Sequence, residues 1–235
     1  IVVRLVGSEM CIRDSTTIGG LILDGGNFDW GGAGADRQPA LNTPDPCYGG
    51  VVWDQQVTKT MGLPFAYLLK LRTTLLRDLG GAMSPFSAWM FIQGLETLPL
   101  RMREHAKNAQ AVAEFLENND KVQSVTYPGL FEGAEREKAD KYMKGGYGAL
   151  IGFELPGGKE AGSKFIDSLE LLYHVANIGD SRSLAIHPAT TTHSQLAPEE
   201  QLSAGVTPGY VRLSIGIEHV DDIIADISQA LDKAS

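Results

Sequence analysis

Residues 210–218 read YVRLSIGIE, and this stretch sets the fold of the carboxyl-terminal half of the chain. Apolar and other side chains alternate along it, which is typical of a strand with one buried face. The apolar face carries Val211, Leu213 and Ile215, and the opposite face carries Arg212, Ser214 and Gly216. The pattern therefore predicts a strand that holds the Arg212 guanidinium on the face opposite the core.

Arg212 is the first candidate functional residue. Its guanidinium is planar and permanently charged, and it can bind a carboxylate through paired hydrogen bonds. The spacing alone leaves a second interpretation equally open, in which Arg212 forms a structural ion pair with Glu218 or Asp180.

An amphipathic helix follows this strand. Its apolar residues recur at helical spacing and predict a face packed on a sheet, with acidic residues turned away. The predicted apolar face is Val220, Ile223, Ile224, Ile227, Ala230 and Leu231, and the predicted solvent face is Asp221, Asp222, Asp226 and Asp232. Upstream, short β-prone runs alternate with helical segments, so residues 120–235 are expected to form a small α+β domain. The runs lie at 122–127, 149–155, 171–178 and 184–187.

The amino-terminal half has a less regular pattern. Residues 18–26 predict a short strand between glycines, and residues 31–46 predict a surface loop rich in Gly, Pro, Asn and Asp. Residues 65–79 predict a helix that ends at Gly80, where glycine permits left-handed backbone geometry.

A second predicted helix begins at Ser84, and Pro99 is expected to bend it before it continues through residues 100–116. This long, bent helix would join two domains. The predicted division of the chain is therefore 16–98, a linking helix at 99–119, and 120–235.

Composition excludes several kinds of partner. The formal net charge of −9 and the pI of about 5.0 argue against nucleic acid and anionic membranes, which need clustered Lys and Arg. No run approaches the roughly 18 to 20 apolar residues of a membrane span. Cys11 and Cys47 offer no disulfide framework, which suits a reducing compartment and predicts the cytoplasm. A small molecule or another protein is the expected partner.

Residues 5–15, LVGSEMCIRDS, resemble translated sequencing-adapter read-through. We therefore expect residues 1–15 to be an artefact and native sequence to resume at Thr16. The alternative is a genuine strand, because residues 1–6 are β-prone.

A further cluster of polar residues lies between the last two predicted strands. Asn177 can present amide donors to an anion, or it can be an ordinary turn residue beside Gly179. His187 and His193 lie six residues apart in a proline-containing loop without a third ligand at metal spacing, so no metal site is predicted.

Several motifs together resemble the Cys/Met-metabolism family of pyridoxal-phosphate enzymes. They are TTIGG at 16–20, GNFDW at 26–30, PDPCY at 44–48, SPF at 84–86, QGLETL at 93–98, HPATTTHS at 187–194 and VRLSIGIE at 211–218. The resemblance covers the chain from Thr16 to Ser235, with the motifs in the family's order.

The resemblance implies an α/β, fold-type-I, aminotransferase-like architecture. Residues 16–98 would then be a remnant of the large cofactor-binding domain, and residues 120–235 a complete small α+β domain. It also implies pyridoxal 5'-phosphate as cofactor, an amino-acid substrate and a homo-oligomer, a tetramer at full length. Arg212 would clamp the substrate α-carboxylate with help from Asn177.

Within the family, residues 28–30, residues 44–46 and Asn177 are similar to the branch that converts O-acetylhomoserine and sulfide into homocysteine and acetate. That reaction belongs to methionine biosynthesis, and its enzymes are transferases. A cystathionine γ-synthase or a methionine γ-lyase is the alternative within the enzyme class. The alternative outside it is a non-catalytic, folded oligomerisation module.

The family's Schiff-base lysine precedes the TTIGG motif, and counting back along the motif leads to Glu9. The first lysine of the chain is Lys59, in a segment that does not match the motif. We therefore expect no catalytic lysine in this chain, no covalently bound cofactor and no turnover, and no cofactor-binding residue is assigned.

Overall fold

The computed structural model describes residues 4–7, 17 and 19–234. The chain divides into two compact units, Ile1–Ile92 and Gln93–Ser235. The domain boundaries predicted from the sequence stay predictions. Glu9, Cys11 and most of the adapter-like stretch lie outside the described residues.

The first unit contains a two-stranded antiparallel sheet and several short helical segments. Strand β1 (Arg4–Gly7) pairs with β2 (Gly20–Leu23), with Arg4 opposite Leu23. The helices are α1 (Pro39–Asn42), α2 (Ala66–Leu71) and α3 (Arg77–Leu79), with π-helical turns at Asp54–Thr60 and Arg72–Leu76. A small core forms from Leu41, Trp53, Val57 and Ala66.

The helix predicted at 65–79 is interrupted in its middle. The π-helical turn separates α2 from α3, and the hydroxyl of Thr73, inside that turn, donates to Leu69 O at 2.8 Å. Threonine side chains that bond to preceding carbonyls compete with the regular helical ladder. The predicted end is confirmed, because Gly80 adopts a left-handed conformation with φ of 68°.

The predicted long, bent helix is two helices. Helix α4 (Pro85–Glu96) ends before Thr97, and α5 (Leu98–Glu117) starts anew with Pro99 in its first turn. Proline is tolerated there because a first-turn N–H has no partner within the helix. The expectation that Pro99 bends a continuous helix was therefore wrong. Helix α4 leaves several large apolar side chains exposed, namely Phe86, Trp89, Ile92 and Leu95.

The second unit is built on a five-stranded sheet in the order β3-β4-β7-β6-β5. The strands are β3 (Ser124–Thr126), β4 (Leu150–Glu154), β5 (Tyr173–His174), β6 (Leu184–Ile186) and β7 (Tyr210–Ser214). Only β5 and β6 pair in parallel among these strands. Each β-prone run of the sequence contains one of them.

Helices cover the sheet of the second unit. They are α5, α6 (Gly133–Tyr142), α7 (Gly158–Ser168), α8 (Pro198–Ser203) and α9 (Val220–Ala234). As predicted, the apolar side chains of β7 and α9 enter one core. Its most buried members include Val211, Leu213, Ile215, Ile223, Ile227, Ala230 and Leu231.

Asp226 corrects the predicted solvent face of α9. It is buried, and its carboxylate accepts hydrogen bonds from the backbone N–H groups of residues 170, 171 and 172 at 2.8 to 3.0 Å. A carboxylate can stay in the interior when backbone donors replace its water. Asp226 therefore ties α9 to the loop after α7.

Helix α5 holds the carboxyl end of β7. The buried His105 donates from Nδ1 to Ile215 O at 2.6 Å, and Asn108 donates from Nδ2 to Gly216 O at 3.2 Å. These bonds satisfy carbonyls that the sheet leaves unpaired where the strand ends. The position of Arg212, three residues earlier on β7, is thereby anchored.

Candidate functional site

Arg212 lies half-buried in the middle of β7. Its Nη2 donates to Ala176 O at 3.2 Å and to Asn177 O at 3.4 Å. These carbonyls belong to the segment that follows β5, so non-adjacent parts of the chain meet at the guanidinium. The structure thus brings Arg212 and the backbone of Asn177 together.

The structural ion pair left open by the sequence does not form in the described residues. Asp180 pairs with Arg182 at 3.1 Å, and Glu218 accepts from Ser183 N at 2.6 Å. No carboxylate oxygen among the described residues lies within 4.0 Å of the Arg212 guanidinium. Both acidic candidates are engaged elsewhere.

The Arg212 guanidinium keeps unused hydrogen-bonding capacity. Its Nε is buried and has no hydrogen-bond partner within the described chain. A buried donor without a partner costs roughly 1 to 3 kcal/mol, and native proteins usually satisfy such groups. One donor of the guanidinium is therefore left without an acceptor in the described chain.

Asn177 contributes mainly through its backbone. Its side chain is buried, and Oδ1 accepts from Ile178 N at 2.9 Å, next to Gly179 with φ of 75°. This local bond is what the turn interpretation expects. Its carbonyl, however, contacts Arg212, so Asn177 shapes the site whichever role its amide has.

A cavity of about 480 Å³ opens close to these residues. Ile186, one of its lining residues, is the β6 partner of Arg212, and paired residues point to the same face of a sheet. The cavity is lined by His174, Val175, Ala176, Ile186, Thr191 and Thr192. Sequence reasoning did not single out His174 or Ile186.

His187 is a structural residue. It is fully buried, with Nε2 at 2.8 Å from Pro208 O and Nδ1 at 2.9 Å from the Thr190 hydroxyl. Because a carbonyl only accepts, Nε2 carries the proton and Nδ1 accepts. Gly162 packs against the ring so closely that a Cβ there would lie 2.4 Å from Nε2. Both ring nitrogens are therefore engaged within the protein.

The burial of His187 predicts a loss of stability at acid pH. Burial lowers the pKa of His187 in the folded chain, whereas the unfolded chain keeps the ordinary value. The contribution is complete above the ordinary histidine pKa and is lost as the pH falls through it towards the folded value. Unfolding free energies of wild type and His187→Gln, measured between about pH 8 and pH 5, should converge towards the acid end. A constant difference would contradict this.

The geometry of the described residues shows no metal centre. The ranges that the structure describes contain no group of three or more His, Cys, Asp or Glu side chains that could hold a metal ion. His193 instead has Nδ1 at 2.9 Å from the Thr192 hydroxyl. Nor does any helix within those ranges combine the length and apolar character needed to cross a bilayer.

Both lysines of the first unit are paired with carboxylates. Lys59 Nζ lies 3.1 Å from Asp29 and 3.9 Å from Asp54, and the hydrogen bond to Asp29 raises the pKa of Lys59. Lys70 contacts the buried carboxylate of Asp45, which lowers the pKa of Asp45. Both lysine side chains are therefore engaged by carboxylates.

Comparison with known proteins identifies the family of the chain. The profile of the family described as Cys/Met metabolism PLP-dependent enzyme matches residues 14–232. An O-acetyl-L-homoserine sulfhydrylase of Leptospira meyeri is 51% identical over 220 residues, covering 92% of this chain and 49% of that protein. A homocysteine synthase of Schizosaccharomyces pombe is 48% identical over 219 residues, covering 93% of this chain and 50% of that protein.

The fold is also shared with a solved structure. A Campylobacter jejuni protein described as an O-acetylhomoserine (thiol)-lyase, carrying a pyridoxyl-lysine phosphate, is 43% identical with a TM-score of 0.73. The match covers 84% of this chain and 45% of that one. This chain thus spans about half the length of the relatives it matches. The predicted α/β, fold-type-I class is confirmed, and the chain belongs to the Cys/Met-metabolism family of pyridoxal-phosphate-dependent enzymes.

Proposed function

We propose that this chain is part of an O-acetylhomoserine sulfhydrylase, which converts O-acetylhomoserine and sulfide into homocysteine and acetate. The names of its relatives support this reaction. The environment of Arg212 is the observation that supports a role for this chain in binding the substrate. Among the described residues, no carboxylate lies within 4.0 Å of the half-buried Arg212 guanidinium, and its buried Nε has no partner. Such a group is a fitting receptor for the α-carboxylate of an amino acid.

The contribution of Arg212 is to bind and orient the substrate. Two carbonyls fix Nη2, and a carboxylate that reached Nε and another guanidinium nitrogen would be held in a defined plane. Orientation of an amino acid by its carboxylate sets the position of the reacting side chain. Asn177 supports the same plane by presenting its carbonyl to Arg212.

The family's cofactor, pyridoxal phosphate, supplies the electron sink for such chemistry when it is bound. Covalent attachment requires an uncharged lysine amine at a shielded position. Lys59 is about half-exposed and paired with Asp29, and Lys70 is paired with Asp45. The lysines of the first unit therefore do not fit a covalent cofactor site, and the reaction step proposed for this chain stops at carboxylate binding.

We further propose a cytoplasmic homo-oligomer as the state of the whole enzyme. An exposed, unpaired thiol at Cys47 suits a reducing compartment. The exposed apolar side chains of α4 suit burial against further protein, because patches of this kind mark interaction surfaces.

A nitrogen-detected NMR titration tests the carboxylate site. The Arg212 Nε–H signal, assigned by its loss in Arg212→Lys, should shift saturably as L-2-aminobutyrate is added. The amide L-2-aminobutyramide should leave the signal in place, because it lacks the negative charge. Arg182, already paired with Asp180, provides an internal reference. Equal shifts with both compounds, or no shift at Arg212, would refute the assignment.

Arg212→Lys should weaken binding of L-2-aminobutyrate by about tenfold or more, since an ammonium cannot form the paired hydrogen bonds of a guanidinium. The change is measured by following backbone amide signals near Ile186 during the same titration. Arg182→Lys, which leaves Arg212 intact, should bind as wild type does.

A further inference from the structure

The segment between β5 and β6 is attached to β7 at two points. The first is Arg212, which donates to the carbonyls of Ala176 and Asn177. The second is Ser214, whose Oγ accepts a hydrogen bond from Gly179 N at 3.1 Å. The two attachments lie two residues apart on the same face of a strand, so they hold successive residues of one short segment.

Ser214 provides the more rigid of these attachments. It is 2% exposed, and its strand pairs with β4 and β6 on either side. Its side chain has a single rotatable bond to the hydroxyl, whereas the arginine side chain is long and flexible. The partner N–H belongs to Gly179, whose left-handed conformation directs the turn back towards the strand.

The carbonyls that fix the guanidinium depend on this attachment. Residues 176 and 177 lie immediately before the turn that Gly179 closes, so release of Gly179 would let both carbonyls move away from Nη2. We propose that Ser214 is a positioning residue for Arg212: it holds the segment whose carbonyls set the plane of the guanidinium. The functional value of this positioning rests on the proposed carboxylate binding, whereas the hydrogen bonds that link Ser214 to the segment do not depend on that proposal.

The hydroxyl of Ser214 is not required for filling space. An alanine would occupy the same buried strand position and remove only the acceptor for Gly179. Ser183 offers a matched control, because it is also buried and its hydroxyl also accepts a backbone N–H, that of Gly216 at 2.8 Å. The hydroxyl of Ser183 also donates to Glu218 Oε2 at 2.9 Å, so its bonds reach Gly216 and Glu218 and not residues 176–179. Its loss should therefore leave Arg212 in place.

Mobility of the Arg212 side chain in the ligand-free chain is the primary test. In Ser214→Ala, the nitrogen order parameter of Arg212 Nε should fall, and the Gly179 amide should exchange with solvent about tenfold faster, as expected for loss of one protecting hydrogen bond. Ser183→Ala should change neither value, and Ser214→Thr, which keeps the hydroxyl, should restore both. An Arg212 order parameter in Ser214→Ala equal to that of wild type would overturn the proposal.

A titration separates this inference from the proposed function. If Arg212 binds L-2-aminobutyrate, Ser214→Ala should weaken binding by about fivefold, equivalent to one ordinary hydrogen bond, while its melting temperature stays within the range of Ser183→Ala. Weaker binding in Ser183→Ala than in Ser214→Ala would overturn the positioning role. If wild type does not bind the carboxylate, the proposed function fails, and the order parameters still decide the role of Ser214.

Discussion

Replacement of Asp226 by alanine is expected to lower the free energy of unfolding by about 3 to 5 kcal/mol. The carboxylate accepts from three consecutive backbone N–H groups and from Gln229 Nε2, and it is 7% exposed. Alanine leaves those donors without acceptors in a site that water reaches poorly. Urea denaturation of the intact chain, followed by circular dichroism, measures the loss.

Two further variants show that the effect comes from the acceptors. Asp232→Ala removes an exposed carboxylate of the same helix that forms a surface ion pair with Lys121, so it should cost no more than about 1 kcal/mol. Asp226→Asn keeps the shape but turns an NH2 group towards N–H donors, so it should remain strongly destabilised. A loss below about 1 kcal/mol in Asp226→Ala would show that water replaces the carboxylate.

Asp226 also shows where periodicity stops being informative. The apolar stripe of α9 was predicted correctly because burial of that face depends on local spacing. The same pattern placed every aspartate in solvent, although Asp226 is buried. Its burial depends on the backbone N–H groups of residues 170–172, which donate to its carboxylate. These residues lie about fifty positions away in sequence, so no local pattern reveals the contact.

The helices between residues 66 and 117 show the same limit in another form. Gly80 was identified as a helix end because its conformational freedom is a property of the residue itself. The π-helical turn at Arg72–Leu76 and the break at Thr97 depend on how hydroxyls and a proline are accommodated in the backbone. Both alternatives, a kinked helix and two helices, are compatible with the sequence.

The candidate site was predictable only in part. Strand alternation and residue type were enough to single out Arg212. The sequence could not decide between a ligand and an ion pair, because Asp180 and Glu218 find their partners through the folded loop. Ile186 lies near Arg212 because β6 pairs with β7. The local alternation of apolar and polar residues does not reveal which strands pair, so the sequence did not indicate Ile186.

The chain treated with one equivalent of pyridoxal phosphate and then with borohydride is expected to carry no single, stoichiometric pyridoxyl-lysine. Lys59 is held as an ammonium by Asp29, and its exposure leaves any imine open to hydrolysis. Lys70 is held by Asp45 beneath the Trp53 ring, 5.3 Å away. Labelling should therefore be low and spread over several lysines when peptides are mapped by mass spectrometry.

The control is the Campylobacter jejuni relative, whose structure carries a pyridoxyl-lysine and which should be labelled at one position under the same conditions. Asp29→Asn tests the reason given for Lys59: removal of the carboxylate lowers the pKa of the amine, so labelling at Lys59 should increase, yet without becoming stoichiometric. A wild-type chain labelled at one lysine in a near one-to-one ratio would contradict the expectation. It would show that this chain can hold the cofactor covalently by itself.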